Sequence, residues 1–553
     1  MVKNIFKRLL NIKTLFCLIL LLNLSVVLHV FQGKQAFHSD EQWSYAHANS
    51  SKGAFLDVEI DSYLKVNDNI RQRLFDHYIN SSVLHNYLTV QQGERFTYRH
   101  IYENLKKDVH PPLYFLILHT VCSFFPDRFD KWYAGSINIV LFILCYIALF
   151  KLSKLILNDS RLAICSVALW GFSEIGLDTV VFLRMYILQT LLSICLMYEA
   201  IKIVKENKVS GKQLFLTFLY SFLGIFTQYN SIFFSFFVAL IVCLIMLKRK
   251  NYRLMFWFGG FMALSVIMLF IVFPPASDVL LGSVRGRQVM SGVMHWGGDE
   301  KNYMMEFLFR AERSFSVLGE ILFMHFFAFD AINGKVLSFV CIMLIASCIY
   351  LKVKISPSVA LLLSVLALYT IYLFSMPYMH IFHSRYYMNI MPFFAIITVL
   401  AVNKLLTTAG VSQKIKIAMI AILVFVNALC LNFSDKSAYA FEYGMPEKTI
   451  AAHIKDNDVF INAGDRFIWL HSMVHYLAPA KRVYITEDIC NSQTLAHIVE
   501  AEMPVVLTYS SYIKSSPDNQ SIDCLKRIGL TYVTTICASQ HCYNVWEKTT
   551  QKI

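Results

Sequence analysis

The sequence predicts a polytopic α-helical membrane protein with about 11–13 transmembrane helices and a small extracytoplasmic α/β domain at its C-terminal end. Three observations lead there. Of 553 residues, 56% are hydrophobic and only 16% charged, with 45 Phe and 29 Tyr. That is too little charge to cover a soluble chain of this length. The charges gather in short connectors between apolar runs, several of them long enough to cross a bilayer. The net charge of +13 lies largely in those connectors. This is the pattern of Lys and Arg retained on the cytoplasmic side, so no nucleic-acid partner is expected.

The N-terminus is basic (Lys3, Lys7, Arg8, Lys13) and then apolar from Thr14 to Phe31. No small-residue cleavage site follows in FQGKQA. This reads as an uncleaved first span with its N-terminus inside, in preference to a removed signal. A polar loop, 32–112, comes next. Within it, Asp68–Tyr78 and Tyr98–Lys107 read as helices that suit the membrane surface, with an ordinary soluble loop as the plainer alternative.

Apolar runs then follow at 113–125, 133–150, 162–178, 182–201, 213–226, 231–247, 254–273, 313–329, 336–350, 357–375, 386–402 and 417–432. Connectors rich in Lys and Arg stand at 151–161, 202–212, 247–253, 351–354 and 403–416. Placing all five inside gives about 11 crossings, with the marginal runs 113–125 and 313–329 stopping short; if both cross there are about 13, and the first three connectors move outside. Either count is odd and leaves the C-terminus outside.

From residue 433 the composition changes. Strand-like runs at 459–463, 482–486 and 504–509 alternate with helical patterns at 447–456, 466–477 and 493–502. The alternation predicts a small α/β domain over 433–553, after a membrane domain over 1–432. No GxGxxG follows its first strand, so no nucleotide site is expected. Nine of the 13 cysteines lie in or beside apolar runs. The other four, Cys490, Cys524, Cys537 and Cys542, could form two disulfides in an exported domain, with the pairing open.

Few residues carry chemistry. Asp40-Glu41, just past the first span, could act as a base and its support, or ligate a divalent cation; an acidic pair in a loop is more often simply solvated. The prolines of VHPPLY (109–114) start the next apolar run and leave His110 at its rim, which is also what an ordinary helix start requires. Arg184, in VVFLRMYIL, is costly near an apolar run unless it reaches headgroups or binds an anion. His380 and His383 are spaced for a metal, but no HExxH acid stands between them. Arg385 and Tyr386 follow, and a guanidinium there could grip a phosphate. The loop 274–312, with Arg285, Arg287, His295, Trp296 and Asp299, reads as a mobile cover.

In this order and context, these features resemble the GT-C type membrane glycosyltransferases. The similarity is to bacterial dolichyl-phosphate-mannose-protein mannosyltransferase-like proteins and aminoarabinose lipid A transferases. It covers about residues 10–430, and HPPLY after the acidic pair is its most specific part. One departure is Gln189, where such proteins commonly have an Asp. The resemblance implies a polyprenyl-phosphate-linked sugar donor, an extracytoplasmic acceptor (protein, lipid or glycan) and an active site on the outer face of the inner membrane. It implies Asp40 as the catalytic carboxylate with Glu41 beside it. His110, Arg184, His383, Arg385 and Tyr386 would surround the donor phosphate. A divalent cation is permitted and not required. The competing readings are a lipid or solute transporter and a ligase using a lipid-diphosphate donor. The absence of an internal repeat and the placement of most charges at helix ends argue against the transporter.

Overall fold

The first apolar run folds as a helix over Ile12–Gly33, and Asn11 caps it by accepting from Lys13 N. The computed structural model describes residues 11–51, 68–106, 108–282, 355–375, 384–432, 439–440, 447–463, 467–509, 519–538 and 541–548. Among the described residues, six helices are long and apolar enough to cross a membrane: Ile12–Gly33, Lys131–Leu157, Tyr186–Glu206, Ser231–Lys248, Tyr252–Val272 and Met391–Thr408. A seventh is added if Ser160–Gly171 and Glu174–Val181, bent by 63°, form one broken span. The chain is therefore a multi-pass membrane protein. Its outer helix faces carry exposed Phe236, Phe256, Ile271 and Phe425, which lipid can cover.

The marginal run at 113–125 is helical only over Leu113–Cys122. Ten residues make a helix about 15 Å long against a hydrocarbon core of about 30 Å. The runs 313–329 and 336–350, the loop from 283 onward, and His380 and His383 lie outside the described residues. The run predicted at 162–178 is the broken element, and a second break at 182–185 precedes Tyr186–Glu206.

Four of the basic connectors meet at one end of the bundle. Lys205 Nζ donates to Leu155 O (2.8 Å), Arg249 Nη1 to Val204 O (2.6 Å), and Gln413 Nε2 to Asp159 Oδ2 (3.2 Å). The first two satisfy carbonyls that helix ends leave open, and the third ties a side-chain carboxylate.

The C-terminal region builds a six-stranded sheet. Its strands are β1 (Tyr78–Asn80), β2 (Asp458–Asn462), β3 (Arg482–Thr486), β4 (Pro504–Tyr509), β5 (Leu530–Ala538) and β6 (His541–Lys548), in the order β1-β3-β2-β4-β6-β5. The three predicted strands are the parallel centre: Phe460 pairs with Tyr484 on one side and Val506 on the other. Their near-continuous burial fits strands covered on both faces.

Two parts of the sheet left no clear mark in the sequence. The β5–β6 hairpin is antiparallel, and β1 comes from the loop after the first span, pairing antiparallel with β3. The stretch 68–78 is helical over Asp68–Leu74 and then enters this sheet, held by Arg71 Nη2 to Glu487 Oε1 at 2.5 Å.

The four polar-region cysteines pair as Cys490–Cys524 and Cys537–Cys542. The first closes a separation of 34 residues, which corresponds to about 3–4 kcal/mol of lost unfolded-state entropy. A Cys490→Ser/Cys524→Ser variant is expected to expose the C-terminal sheet to protease at a lower temperature than wild type, as limited proteolysis across a temperature series would read.

Candidate active site

The helix Ser39–Asn49 opens with a capping box. His38 accepts from Asp40 N, and Glu41 accepts from His38 N. Acidic residues in the first turn also favour the helix N-terminus. Neighbouring residues on a helix point about 100° apart, and here Asp40 and Glu41 serve different partners.

Glu41 is fully buried. Its Oε2 lies 3.0 Å from Lys34 Nζ and accepts from His38 N (2.8 Å), while Oε1 accepts from Leu183 N (2.8 Å). Burial raises the Glu41 carboxyl above its ordinary value, against the opposing pull of Lys34 and the two backbone N–H groups. Lys34 Nζ also donates to Tyr439 O at 2.5 Å. Glu41, held by Lys34, is thus a clamp between the Asp40 helix and the backbone at 183.

That backbone is the break at 182–185. A helix end buried in a bundle leaves carbonyls that need donors. Asn138, inside the Lys131–Leu157 helix, donates to Val180 O (2.8 Å) and Phe182 O (2.9 Å), and it accepts from Tyr114 Oη (3.2 Å). Asn427 supports the other break by donating to Phe172 O (3.1 Å). Replacing Asn138 with Leu takes this donor from Val180 O and leaves Phe182 O with Arg184 N alone, at about 1–3 kcal/mol for a buried carbonyl left unpaired. The expected outcome is a lower melting temperature in detergent together with weaker anion binding at Arg184.

The break turns Arg184 toward the Asp40 helix. Its Nη1 donates to Asp40 O (2.8 Å) and Ser44 Oγ (3.2 Å), and its Nη2 donates to His110 Nε2 (3.0 Å). The side chain of His110 is held in turn by Asp108. Asp108 Oδ1 accepts from His110 N (2.9 Å) and lies 2.6 Å from His110 Nδ1. His47 Nε2 stands 3.1 Å from Asp108 Oδ2. Burial pushes the Asp108 carboxyl up, but His47 and His110 outweigh it and hold it well below the usual range.

Arg385 arrives on a short 3₁₀ turn, Ser384–Tyr387, ahead of the Met391–Thr408 span. Its Nη1 donates to Asp40 Oδ2 at 2.5 Å, and its guanidinium carbon lies 5.4 Å from the Tyr386 ring centre, a cation–π geometry. Burial would raise the Asp40 carboxyl. Arg385 first, and Arg184 after it, overcome that and hold it far below the usual carboxylate range. Burial pushes the His38 imidazole down to about 3, which suits a ring nitrogen that accepts from Asp40 N.

The structure therefore brings together Asp40, Arg184, His110, Arg385 and Tyr386, from segments separated by up to 345 positions. Glu41 adjoins them through the backbone at 183. His383 lies outside the described residues. Lys34, Ser44, His47 and Asp108 were not singled out from sequence. Asp108 stands two residues before His110, and a carboxylate at that spacing was an available signal. Lys34 and His47 gave none. Gln189 donates to Ser231 Oγ (3.2 Å) as an internal tie.

The acidic pair does not fit a shared divalent cation in this arrangement. An oxygen of Asp40 is taken by Arg385, and both oxygens of Glu41 are taken by Lys34 and backbone N–H groups. Among the described residues, no group of three His, Cys, Asp or Glu is arranged to hold a metal.

The region behind the Asp40 helix is filled by the C-terminal helix Phe467–Leu477. Gln42 Nε2 donates to Ser472 O (2.9 Å), His475 N donates to Gln42 Oε1 (3.1 Å), and Phe37 N donates to Tyr476 Oη (3.0 Å). Trp43 packs on the His471 ring, with centres 4.5 Å apart. The C-terminal region thus buttresses the helix that carries the acidic pair.

No protein-family model and no curated protein matches the chain. Among solved structures, the chain is similar to ArnT from Cupriavidus metallidurans bound to undecaprenyl phosphate, at 10% sequence identity and a TM-score of 0.49, covering 96% of this chain and 98% of that one. It is also similar to the archaeal oligosaccharyltransferase AglB from Archaeoglobus fulgidus in complex with an inhibitory peptide and a dolichol-phosphate, at 10% identity and a TM-score of 0.42, covering 90% of this chain and 69% of that one.

Proposed function

We propose that this membrane protein is an inverting glycosyltransferase that moves a sugar from a polyprenyl-phosphate-linked donor to an extracytoplasmic acceptor. One observation carries the reading. A half-buried, ionised carboxylate, Asp40, lies just past the end of a membrane span between two guanidiniums, and each guanidinium keeps a buried Nε without a hydrogen-bond partner among the described residues. Unpaired buried donors of that charge favour an anion, and the position beside a span favours a lipid-linked one.

The outward orientation is supported by two further facts. The basic connectors gather away from this site, as expected of a cytoplasmic face. The two disulfides of the C-terminal sheet suit an oxidising compartment.

In the proposed reaction the acceptor hydroxyl gives its proton to Asp40. The hydroxyl oxygen bonds to the anomeric carbon as the bond from that carbon to the phosphate oxygen breaks. The leaving polyprenyl phosphate carries off the bonding pair, and Arg385 and Arg184 balance its growing charge. A single displacement inverts the anomeric centre and needs only one carboxylate, unlike retaining glycosidases with their closely spaced pair. The donor phosphate also draws Arg385 away from Asp40. Asp40 then loses the cation that depresses its basicity just when a base is required. Glu41 and Lys34 hold the Asp40 helix against the 182–185 break.

The test is transfer by purified protein in detergent from radiolabelled polyprenyl-phosphate sugars, with lipid-diphosphate donors in parallel. Transfer from a monophosphate donor with inverted configuration supports the reading. Transfer from diphosphate donors alone, or flipping of lipid without transfer, overturns it.

A further inference from the structure

We propose that Asp108 is a positioning residue that works through His110 to hold Arg184 in the orientation that grips the donor phosphate. The inference rests on the polyprenyl-phosphate reading above.

The argument begins with hydrogen-bond roles. A guanidinium only donates, so His110 Nε2, 3.0 Å from Arg184 Nη2, must present its lone pair. A neutral imidazole with a lone pair on Nε2 carries its proton on Nδ1. That proton points at Asp108 Oδ1, 2.6 Å away, and the same oxygen accepts from His110 N at 2.9 Å. The carboxylate therefore fixes both the tautomer and the direction of the ring. His47, 3.1 Å from the other oxygen, holds the carboxylate from the Asp40 helix.

The consequence falls on Arg184. Its two terminal nitrogens are committed to Asp40 O, Ser44 Oγ and His110 Nε2. With the guanidinium plane fixed by three acceptors, the buried Nε without a partner among the described residues has one direction. Without Asp108 the His110 ring is free to adopt the other tautomer. It then presents an N–H to the arginine N–H, and the plane is released.

The experiment measures binding of undecaprenyl phosphate alone, in detergent micelles, to wild type, Asp108→Ala, Asp108→Asn, Arg184→Gln and the double variant Asp108→Ala/Arg184→Gln. The expected result is a tenfold or larger rise in Kd for Asp108→Ala. Asp108→Asn, whose amide oxygen still accepts from His110, recovers most of the affinity. In the Arg184→Gln background, Asp108→Ala adds nothing, because the two act on one contact. Equal effects of Asp108→Ala in both backgrounds, or no rescue by Asn, would make Asp108 merely structural and overturn the proposal. If wild type binds no undecaprenyl phosphate while remaining folded by its melting curve, the polyprenyl-phosphate reading itself fails. Those failures are therefore distinguishable.

Discussion

Asp40→Asn is expected to lower sugar transfer by about 10²–10⁴-fold, the usual worth of a positioned base, while undecaprenyl-phosphate affinity holds or increases. The two expectations come from one contact. In the free protein Asp40 Oδ2 accepts from Arg385 Nη1 at 2.5 Å, with side chains only 24% and 14% exposed. A phosphate must compete with this carboxylate for the guanidinium. Asparagine removes the competing charge and leaves a buried cation less compensated, which destabilises the empty protein and favours an anionic ligand. The variant should thus melt lower than wild type when empty and gain more on adding undecaprenyl phosphate. Thermal melts with and without the lipid, beside initial transfer rates, read both effects. If affinity falls in step with transfer, Asp40 serves to hold Arg385 in place and is not the base.

Lys34→Met is expected to cost about 3–5 kcal/mol, the range for breaking one side of a buried ion pair. The side chains of Lys34 and Glu41 are 1% and 0% exposed, so water cannot replace the lost ammonium. The deficit should depend on pH. Burial already raises the folded-state Glu41 carboxyl above its ordinary value of 4.5, and removing Lys34 raises it further. An acid with a raised folded pKa favours folding when protonated. Stability is therefore retained below the ordinary glutamate range and is lost as pH rises through the folded value. Lys34→Met should approach wild-type stability in acid and fall away toward neutral pH. Adding Glu41→Gln should recover part of the loss, since an amide oxygen still accepts from Leu183 N or His38 N. A Lys34→Met melting curve that matches wild type at neutral pH would remove the clamp role.

These two experiments separate adjacent carboxylates that look alike on paper. From sequence, Asp40 and Glu41 form a single acidic dipeptide beside a span, read as a base and its support or as ligands of a divalent cation. The capping box gives the two different partners. Glu41 is drawn back over the helix N-terminus to His38 N and Lys34, and Asp40 is left facing the arginines.

The apolar runs between 113 and 273 and the central strands of the sheet were legible, because burial in lipid or between sheet faces demands local hydrophobic patterns. The break at 182–185 was not, because it depends on Asn138 and Glu41 supplying hydrogen bonds from elsewhere. Strand β1 escaped notice for a different reason. Three residues show no periodicity, and their pairing with β3 joins positions some four hundred apart.

By itself, the sequence determined that the chain crosses a membrane repeatedly, and it exposed Arg184 and the carboxylate pair as groups needing an explanation. Hydropathy and the cost of desolvating a charge belong to each residue and its near neighbours. Which groups answer one another was decided only in three dimensions. Arg184 and Arg385 reach Asp40 across 144 and 345 positions, and Asp108 reaches Arg184 through a histidine tautomer. Ion pairs and hydrogen bonds act over about 3 Å of space, a distance that spacing along the chain does not encode.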